Sequence, residues 1–141
     1  MRSTIHWSGE SFDAKTESGH TVKMDGPPSL GGQDRGPRPM EVVLAGAGGC
    51  TSVDVVHILR KGRHDVRDCR VEIEADRAKE DPQVFTRIHF HYVVTGKGLK
   101  PDRVEQAIKL SAQTYCSAIA MLSKTAKISW DFEAIDPDKA R

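Results

Sequence analysis

The chain has 141 residues, a formal net charge of +1 and 38% hydrophobic residues. These values predict one globular domain over residues 1–141, large enough to bury a core without a metal or a disulfide framework. The near-zero charge gives no general electrostatic basis for binding nucleic acid or an anionic membrane. No uninterrupted run of about 18 apolar residues and no secretion signal is visible, which predicts a cytoplasmic protein without a membrane span.

The first segments of the chain predict a small antiparallel sheet. Apolar and polar residues alternate in two short segments, one with Ile5 and Trp7 and the other with Phe12 and Ala14. Residues 21–24 form a third short segment. Turns that contain glycine separate the three segments. Alternation with a period of two, interrupted by such turns, is typical of strands in a meander.

A loop and then a long helix are predicted next. Residues 26–39 contain four glycines and four prolines, which makes regular structure there improbable. The helix is expected from Pro39 to Gly62, because proline suits the first helical position and glycine the C-terminal end. Its first half is apolar or small apart from Glu41, so we expect it to be buried on every side. Its three glycines, residues 46, 48 and 49, indicate either close packing against another helix or chain, or a local break before Cys50.

The second half of the chain predicts a hairpin, a helix and a last strand. Residues 69–76 and 84–95 are predicted strands joined by a turn at 80–82, and residues 126–134 form the last strand. Between them a helix begins at Pro101, with an apolar stripe at helical spacing and a kink or restart near Cys116 and Ser117. The stripe consists of Val104, Ile108, Ser111, Tyr115, Ile119 and Leu122.

The resulting order, βββ–α–ββ–α–β, predicts an α+β fold with mostly antiparallel pairing. Residues 136–141 read as a frayed tail. The long apolar helix needs cover from the sheets or from a second subunit, which motivates an obligate dimer.

Three cysteines are too few for a disulfide framework, so they raise the question of a reactive thiol. A helix restart after Gly49 would place Cys50 at a helix N-terminus, which favours the thiolate. In a continuous helix a basic side chain must supply that effect, because Asp54 one turn away disfavours the thiolate. The alternative is that Cys50 is a small buried hydrophobic residue.

The other candidate groups have weaker signals. Cys116 lies one position off the apolar stripe, and it either meets Cys50 across a helix pair or is an unrelated buried thiol. Cys69 alternates with apolar residues of a strand and reads as core packing. His89 and His91 share a strand face and resemble a metal pair, but solvated strand histidines are the simpler interpretation.

Two segments make the chain resemble the OsmC/Ohr family of thiol-dependent peroxidases. Pro39–Cys50, PMEVVLAGAGGC, resembles the helix that carries that family's first cysteine. Residues 111–116, SAQTYC, resemble the segment with its second cysteine, 66 residues further on. Residues 54–63, DVVHILRKGR, are similar to the YhfA-like branch of the family.

This resemblance implies an OsmC-like α+β fold, with antiparallel sheets around two long central helices in an intertwined homodimer. It implies a peroxidatic Cys50 and a resolving Cys116 in active sites at the subunit interface. The substrate would be an organic hydroperoxide, and a dithiol reductant such as a lipoylated protein would reopen the Cys50–Cys116 disulfide. The resemblance implies that no metal and no organic cofactor is needed, and the charge and hydropathy predict no nucleic-acid or membrane partner.

The sequence also departs from the family pattern. A glutamate ten residues before the first cysteine is replaced by Met40, so Glu41 either substitutes for it or only caps the helix. No arginine lies between Trp7 and Arg35, and we hypothesise that Arg38 in the loop contacts Cys50. The alternative functions are a catalytically weak relative that binds a small apolar ligand, and a redox sensor.

Overall fold

The computed structural model describes residues 1–139 and divides into an N-terminal unit, Met1–Ala45, and a C-terminal unit, Gly46–Arg141. The element order confirms the predicted α+β class. The single domain over residues 1–141 stays a prediction. The predicted tail falls partly on residues 140 and 141, which lie outside the described residues, and residues 137–139 form a turn.

The N-terminal unit contains the predicted meander. Strands β1 (Ser3–Trp7), β2 (Phe12–Thr16) and β3 (Thr21–Met24) pair antiparallel in the order β1-β2-β3. Tight turns join them, and the glycine in each turn has a positive φ, 94° at Gly9 and 88° at Gly19. Glycine adopts this left-handed backbone without the Cβ penalty of other residues, which is why the turn positions could be read from the sequence.

The loop after β3 is organised around one buried carboxylate. Asp25 accepts hydrogen bonds from the backbone N–H groups of Gly26, Gln33 and Arg35 at 2.9, 2.9 and 3.2 Å. These bonds hold the pKa of Asp25 below its usual value. The loop includes one short 3₁₀ turn, Pro28–Leu30, so it is less irregular than its composition suggests.

Helix α1, Pro39–Lys61, is continuous through Cys50, so the predicted local break is wrong. Its buried residues recur mostly at every fourth position, at Ala47, Gly48, Thr51, Val55 and Leu59. The opposite side is exposed, with Val53 at 69%. The expectation of burial on every side is therefore wrong for a single chain, because one chain covers only one face of the helix.

By length and composition alone, helix α1 could cross a membrane. An 18-residue window has a mean hydropathy of 1.7, and 22% of it is buried in the structure. The sequence criterion of an uninterrupted apolar run did not detect this. A core helix of a water-soluble protein has the same length and composition.

The C-terminal unit contains a second sheet in the order β4-β5-β6. Strands β4 (Asp65–Arg77) and β5 (Phe85–Lys97) form the predicted antiparallel hairpin. Strand β6 (Lys127–Ile135) pairs with β5 in parallel, whereas the pairs β1–β2, β2–β3 and β4–β5 are antiparallel, so the predicted mostly antiparallel pairing is confirmed. The helical segment between β5 and β6 carries the chain back to the other end of the sheet, so the two strands run the same way.

The predicted second helix consists of three pieces. Helix α2 (Pro101–Leu110) continues into one turn of π-helix (Ser111–Tyr115), and helix α3 (Ser117–Leu122) then restarts at the predicted place. The wider π-turn changes the phase of the apolar stripe. Tyr115 is consequently 59% exposed, although its spacing predicts burial.

The core of the C-terminal unit is built from β5 and from one face of the helices. Its fully or almost fully buried apolar side chains include Val55, Leu59, Ile88, Phe90, Tyr92, Val94, Val104 and Ile108. One glycine of α1 allows a close approach to β4, because a Cβ on Gly48 would lie 2.8 Å from Cδ1 of Ile73. Close packing therefore occurs at Gly48, but the neighbour is a strand and not the helix or second chain that was expected.

We expect Gly48→Ala to lower the free energy of unfolding by about 1 kcal/mol, because an overpacking cost of roughly 2 kcal/mol against the end of Ile73 exceeds the gain of about 1 kcal/mol that alanine gives a helix interior. Ile73→Val removes the carbon that would be struck. The double variant should therefore lose less stability than the sum of the two single variants, as chemical denaturation can measure. Strictly additive losses would contradict a direct contact between these positions.

Candidate active site

Cys50 and Cys116 are neighbours in the C-terminal unit. Cys50 lies in the middle of α1 and is half-buried, whereas Cys116 is 2% exposed at the junction of the π-turn and α3. The Cys50 thiol lies close enough to the Cys116 thiol to raise the pKa of Cys116. Both cysteines are free thiols. Of the two alternatives left open by the sequence, the meeting of two thiols across packed helical segments is therefore the one observed.

The helix N-terminus predicted for Cys50 belongs to Cys116 instead. In a continuous helix, the backbone N–H groups after Cys50 are occupied by the helical hydrogen bonds. Cys116 is the N-cap of α3, and its sulfur accepts the backbone N–H of Ile119 at 3.4 Å. The predicted cap, Ser117, lies just inside the helix.

Burial dominates the protonation of the Cys116 thiol. It raises the pKa of Cys116 to about 11, and the contact with Cys50 adds to this shift. The N–H groups of Ile119 and Ala118 act in the opposite direction but do not overcome burial. Cys116 is therefore protonated at neutral pH.

A chain of hydroxyl groups lies next to the cysteines. The Thr51 hydroxyl bonds both to the Tyr92 hydroxyl, at 2.7 Å, and to the Ser111 hydroxyl, at 2.8 Å. Ser111 Oγ in turn donates to Asp54 Oδ2 at 2.9 Å. Thr51, Tyr92 and Ser111 are fully buried, and burial raises the pKa of Tyr92 to about 12. These groups satisfy one another in a region without solvent.

The sequence did not identify this hydroxyl chain. One signal was present, because Ser111 is a polar residue on the otherwise apolar stripe of the second helix. The partner residues, Thr51 and Tyr92, are 41 positions apart, and only the packing of α1 on β5 brings them together.

A groove of about 650 Å³ lies beside the same helices. Asp54 and His57 contribute polar groups to it, and Ile58, Leu110 and Tyr115 contribute apolar ones. Asp54 thus belongs both to the groove and to the hydroxyl chain.

Glu41 has a defined structural role at the start of α1. It is exposed, and its Oε1 accepts the backbone N–H of Arg38 at 2.9 Å. This is the bond that a glutamate makes in a capping box, so the capping alternative has a geometric basis. The catalytic role of Glu41 stays a prediction.

The loop arginines are partly engaged within the N-terminal unit. Arg35 forms an ion pair with Glu10 at 2.9 Å and also bonds to Gln33. The predicted contact of Arg38 with Cys50 stays a prediction.

The remaining sequence candidates lie away from this site or have structural roles. His91 bonds to Asp131 and Glu133, which raises the pKa of His91, and His89 bonds to Ser129 and Asp131. Within residues 1–139, no group of three or more metal-ligating side chains is assembled. The two histidines form a hydrogen-bonded row with Ser129, Asp131 and Glu133 of β6.

The comparisons with known proteins identify the family. The family model described as OsmC-like protein matches residues 31–131. Protein YhfA of Escherichia coli K12 is 43% identical over 96% of this chain and 98% of its own length. The chain belongs to the OsmC-like family.

Solved structures share the fold over nearly the whole chain. A hypothetical protein from Aquifex aeolicus VF5 is 31% identical, with a TM-score of 0.78 over 95% of this chain and 96% of that protein. The organic hydroperoxide resistance protein OhrB of Bacillus subtilis has a TM-score of 0.62 at 14% identity, over 94% of this chain and 98% of that protein. At that identity the likeness establishes the fold alone, and it confirms the predicted OsmC-like architecture.

The raised pKa of Cys116 predicts a specific loss of stability in alkaline solution. The folded state holds the thiol proton up to pH 11 or so, and the unfolded state releases it near 9.0. The free energy of unfolding should therefore fall as pH rises through this interval, by on the order of 2 kcal/mol. Cys116→Ala removes this component, so the stability difference between wild type and variant should shrink with rising pH. An unchanged difference in denaturation experiments would contradict the shift.

Proposed function

We propose that this protein is a thiol-dependent peroxidase that reduces organic hydroperoxides through Cys50 and Cys116. The observation that supports the proposal most is the asymmetric thiol pair. Cys50 is half-buried and accessible, and it contacts a buried Cys116 that keeps its proton at neutral pH. Such a pair suits one attacking thiol and one resolving thiol.

In the first step, the Cys50 thiolate attacks the outer oxygen of the hydroperoxide. A sulfur–oxygen bond forms and the oxygen–oxygen bond breaks, so Cys50 becomes a sulfenic acid. The leaving alkoxide takes up a proton and departs as an alcohol. The groove lined by Ile58, Leu110 and Tyr115 offers apolar surface for the organic part of the substrate.

In the second step, the sulfur of Cys116 attacks the sulfur of the Cys50 sulfenic acid. A disulfide forms, the sulfur–oxygen bond breaks, and the hydroxide leaves as water with the proton of Cys116. A dithiol reductant, such as a lipoylated protein, then exchanges with the disulfide and restores both thiols. Glu41 is proposed to support the site from the start of α1.

A second candidate function is binding of a small apolar ligand with little turnover. The groove of about 650 Å³ favours it, because its volume and apolar side chains suit a small organic molecule. The missing family glutamate, replaced by Met40, also weakens the argument for turnover.

We further propose that the chain acts as a homodimer, with its two units forming one OsmC-like domain. Helix α1 exposes a seam of small or apolar residues, Val43, Gly46, Gly49 and Val53. A Cβ on Gly46 or Gly49 would meet nothing within 4 Å among residues 1–139. A second copy that packs on this seam would explain both the glycines and the exposed valines.

Removal of either cysteine should stop the peroxidase cycle at a different step. Cys50→Ser should abolish hydroperoxide consumption, since no thiolate remains to attack. Cys116→Ser should allow one turnover and then stall as a sulfenic or over-oxidised acid. Rapid-mixing assays with mass spectrometry of the protein distinguish the two, and Cys69→Ser is the matched control with unchanged turnover. Equal loss of the first turnover in both site variants would overturn the assigned roles.

Gly49→Ala tests the dimer seam by the sign of its effect. In an isolated chain, the substitution should stabilise α1 by up to about 1 kcal/mol, because alanine is the better helix former and space is open. If a second copy packs closely on the seam, the added methyl should instead weaken dimerisation by tenfold or so. Sedimentation velocity at several concentrations measures the dimer dissociation constant, with Gln106→Ala on the exposed face of α2 as the control. A folded wild-type monomer at micromolar concentration would exclude the dimer.

A further inference from the structure

Two buried hydroxyl groups connect the segments that carry the cysteines. Thr51 directly follows Cys50 on α1, and its Oγ1 lies 2.8 Å from Oγ of Ser111. Ser111 opens the π-turn, and its backbone carbonyl accepts the N–H of Cys116 at 2.8 Å. The Thr51–Ser111 contact is therefore linked to Cys50 by one peptide bond and to Cys116 by one backbone hydrogen bond.

The direction of the hydrogen bonds follows from counting protons. Ser111 has one hydroxyl proton, which it donates to Asp54 Oδ2. The Ser111 oxygen must then accept the proton of Thr51, and the Thr51 oxygen must accept that of Tyr92. Because Asp54 accepts the Ser111 proton, each hydroxyl in the series Tyr92, Thr51 and Ser111 has one orientation.

We propose that Thr51, Ser111 and Asp54 are positioning residues, a hydroxyl bridge that holds the Cys116 sulfur at the distance and angle required for bonding to Cys50. The proposal deepens the proposed function, because it rests on the pairing of these two cysteines. A disulfide tolerates only a narrow range of Cα separations and torsions, so small displacements of either cysteine are costly. A π-turn has poor intrinsic stability and benefits from a side-chain anchor at its first residue.

The burial of these groups favours positioning over simple filling of space. A buried hydroxyl loses its water partners, so it is retained at low cost only if all its hydrogen bonds are made. Thr51 and Ser111 are both fully buried and both bonded. An apolar pair would fill the same volume without fixing the axial position of α1 against the π-turn.

The test is the equilibrium between the protein dithiol and glutathione disulfide. In this exchange two protein thiols are oxidised, one protein disulfide forms, and one glutathione disulfide is reduced to two glutathione molecules. Thr51→Val keeps the shape but removes the hydroxyl, and we expect the effective concentration of the cysteine pair to fall by about tenfold. Thr51→Ser restores the hydroxyl and should return the value to that of the wild type.

Two control variants separate positioning from a general loss of stability. Tyr92→Phe removes a buried hydroxyl next to Thr51 but leaves the bridge intact, so it should retain the wild-type equilibrium even if its melting temperature falls. Ser52→Ala on the same helix removes a hydroxyl that donates to the carbonyl of Gly48, and it should also retain the wild-type equilibrium. A Thr51→Val value equal to that of the wild type would overturn the proposal. So would an equal loss in Tyr92→Phe, which would indicate destabilisation rather than positioning.

The glutathione readout is independent of hydroperoxide chemistry. If a hydroperoxide leaves both thiols reduced while glutathione disulfide links them, the peroxidase proposal fails. The glutathione equilibria of Thr51→Val, Thr51→Ser and Tyr92→Phe still test the hydroxyl bridge in that case. A wild-type protein in which glutathione disulfide forms no Cys50–Cys116 bond would overturn the bridge itself.

Discussion

The contact of Thr51 with Ser111 is the interaction on which the candidate site depends. Helix α1 is continuous, so its buried face fixes where Cys50 lies relative to the sheet. Cys116 has no such support, because it follows a π-turn and precedes a helix of only six residues. The hydroxyl contact ties the less regular segment to the regular one. It does so in a dry region, where an unsatisfied hydroxyl is costly and the arrangement is therefore well specified.

The two thiols differ because the same packing exposes one and buries the other. Cys50 lies between the buried stripe of α1 and its exposed seam, so part of it remains accessible. Cys116 points into the interior, where burial outweighs the favourable N–H groups at the start of α3. The proposed attacking and resolving roles therefore need no difference in chemistry between the residues. A difference in solvation is sufficient.

Local patterns predicted most elements of the fold, because the alternation of apolar and polar residues, and glycine or proline at the ends of elements, are local properties of the sequence. Strand β3 and the beginnings of α1 and α2 follow such signals directly. The parallel pairing of β6, the π-turn and the exposure of Tyr115 could not be derived in this way, because they depend on how distant segments pack. The site divides similarly. The cysteines were identified from motifs, whereas Thr51 and Tyr92 become neighbours only through the tertiary structure, and the helix start expected at Cys50 occurs at Cys116.

The composition of α1 finally reflects two different neighbours. Gly48 faces β4, where a side chain would strike Ile73, so the chain itself accounts for that glycine. Gly46 and Gly49 face open space, where alanine would give a more stable helix. An exposed, glycine-containing and apolar helix face is unfavourable in water unless another surface covers it. The same feature gives α1 the hydropathy of a membrane span. Since Cys50 borders this seam, the proposed second copy would also determine how much solvent and substrate reach Cys50, the proposed attacking thiol.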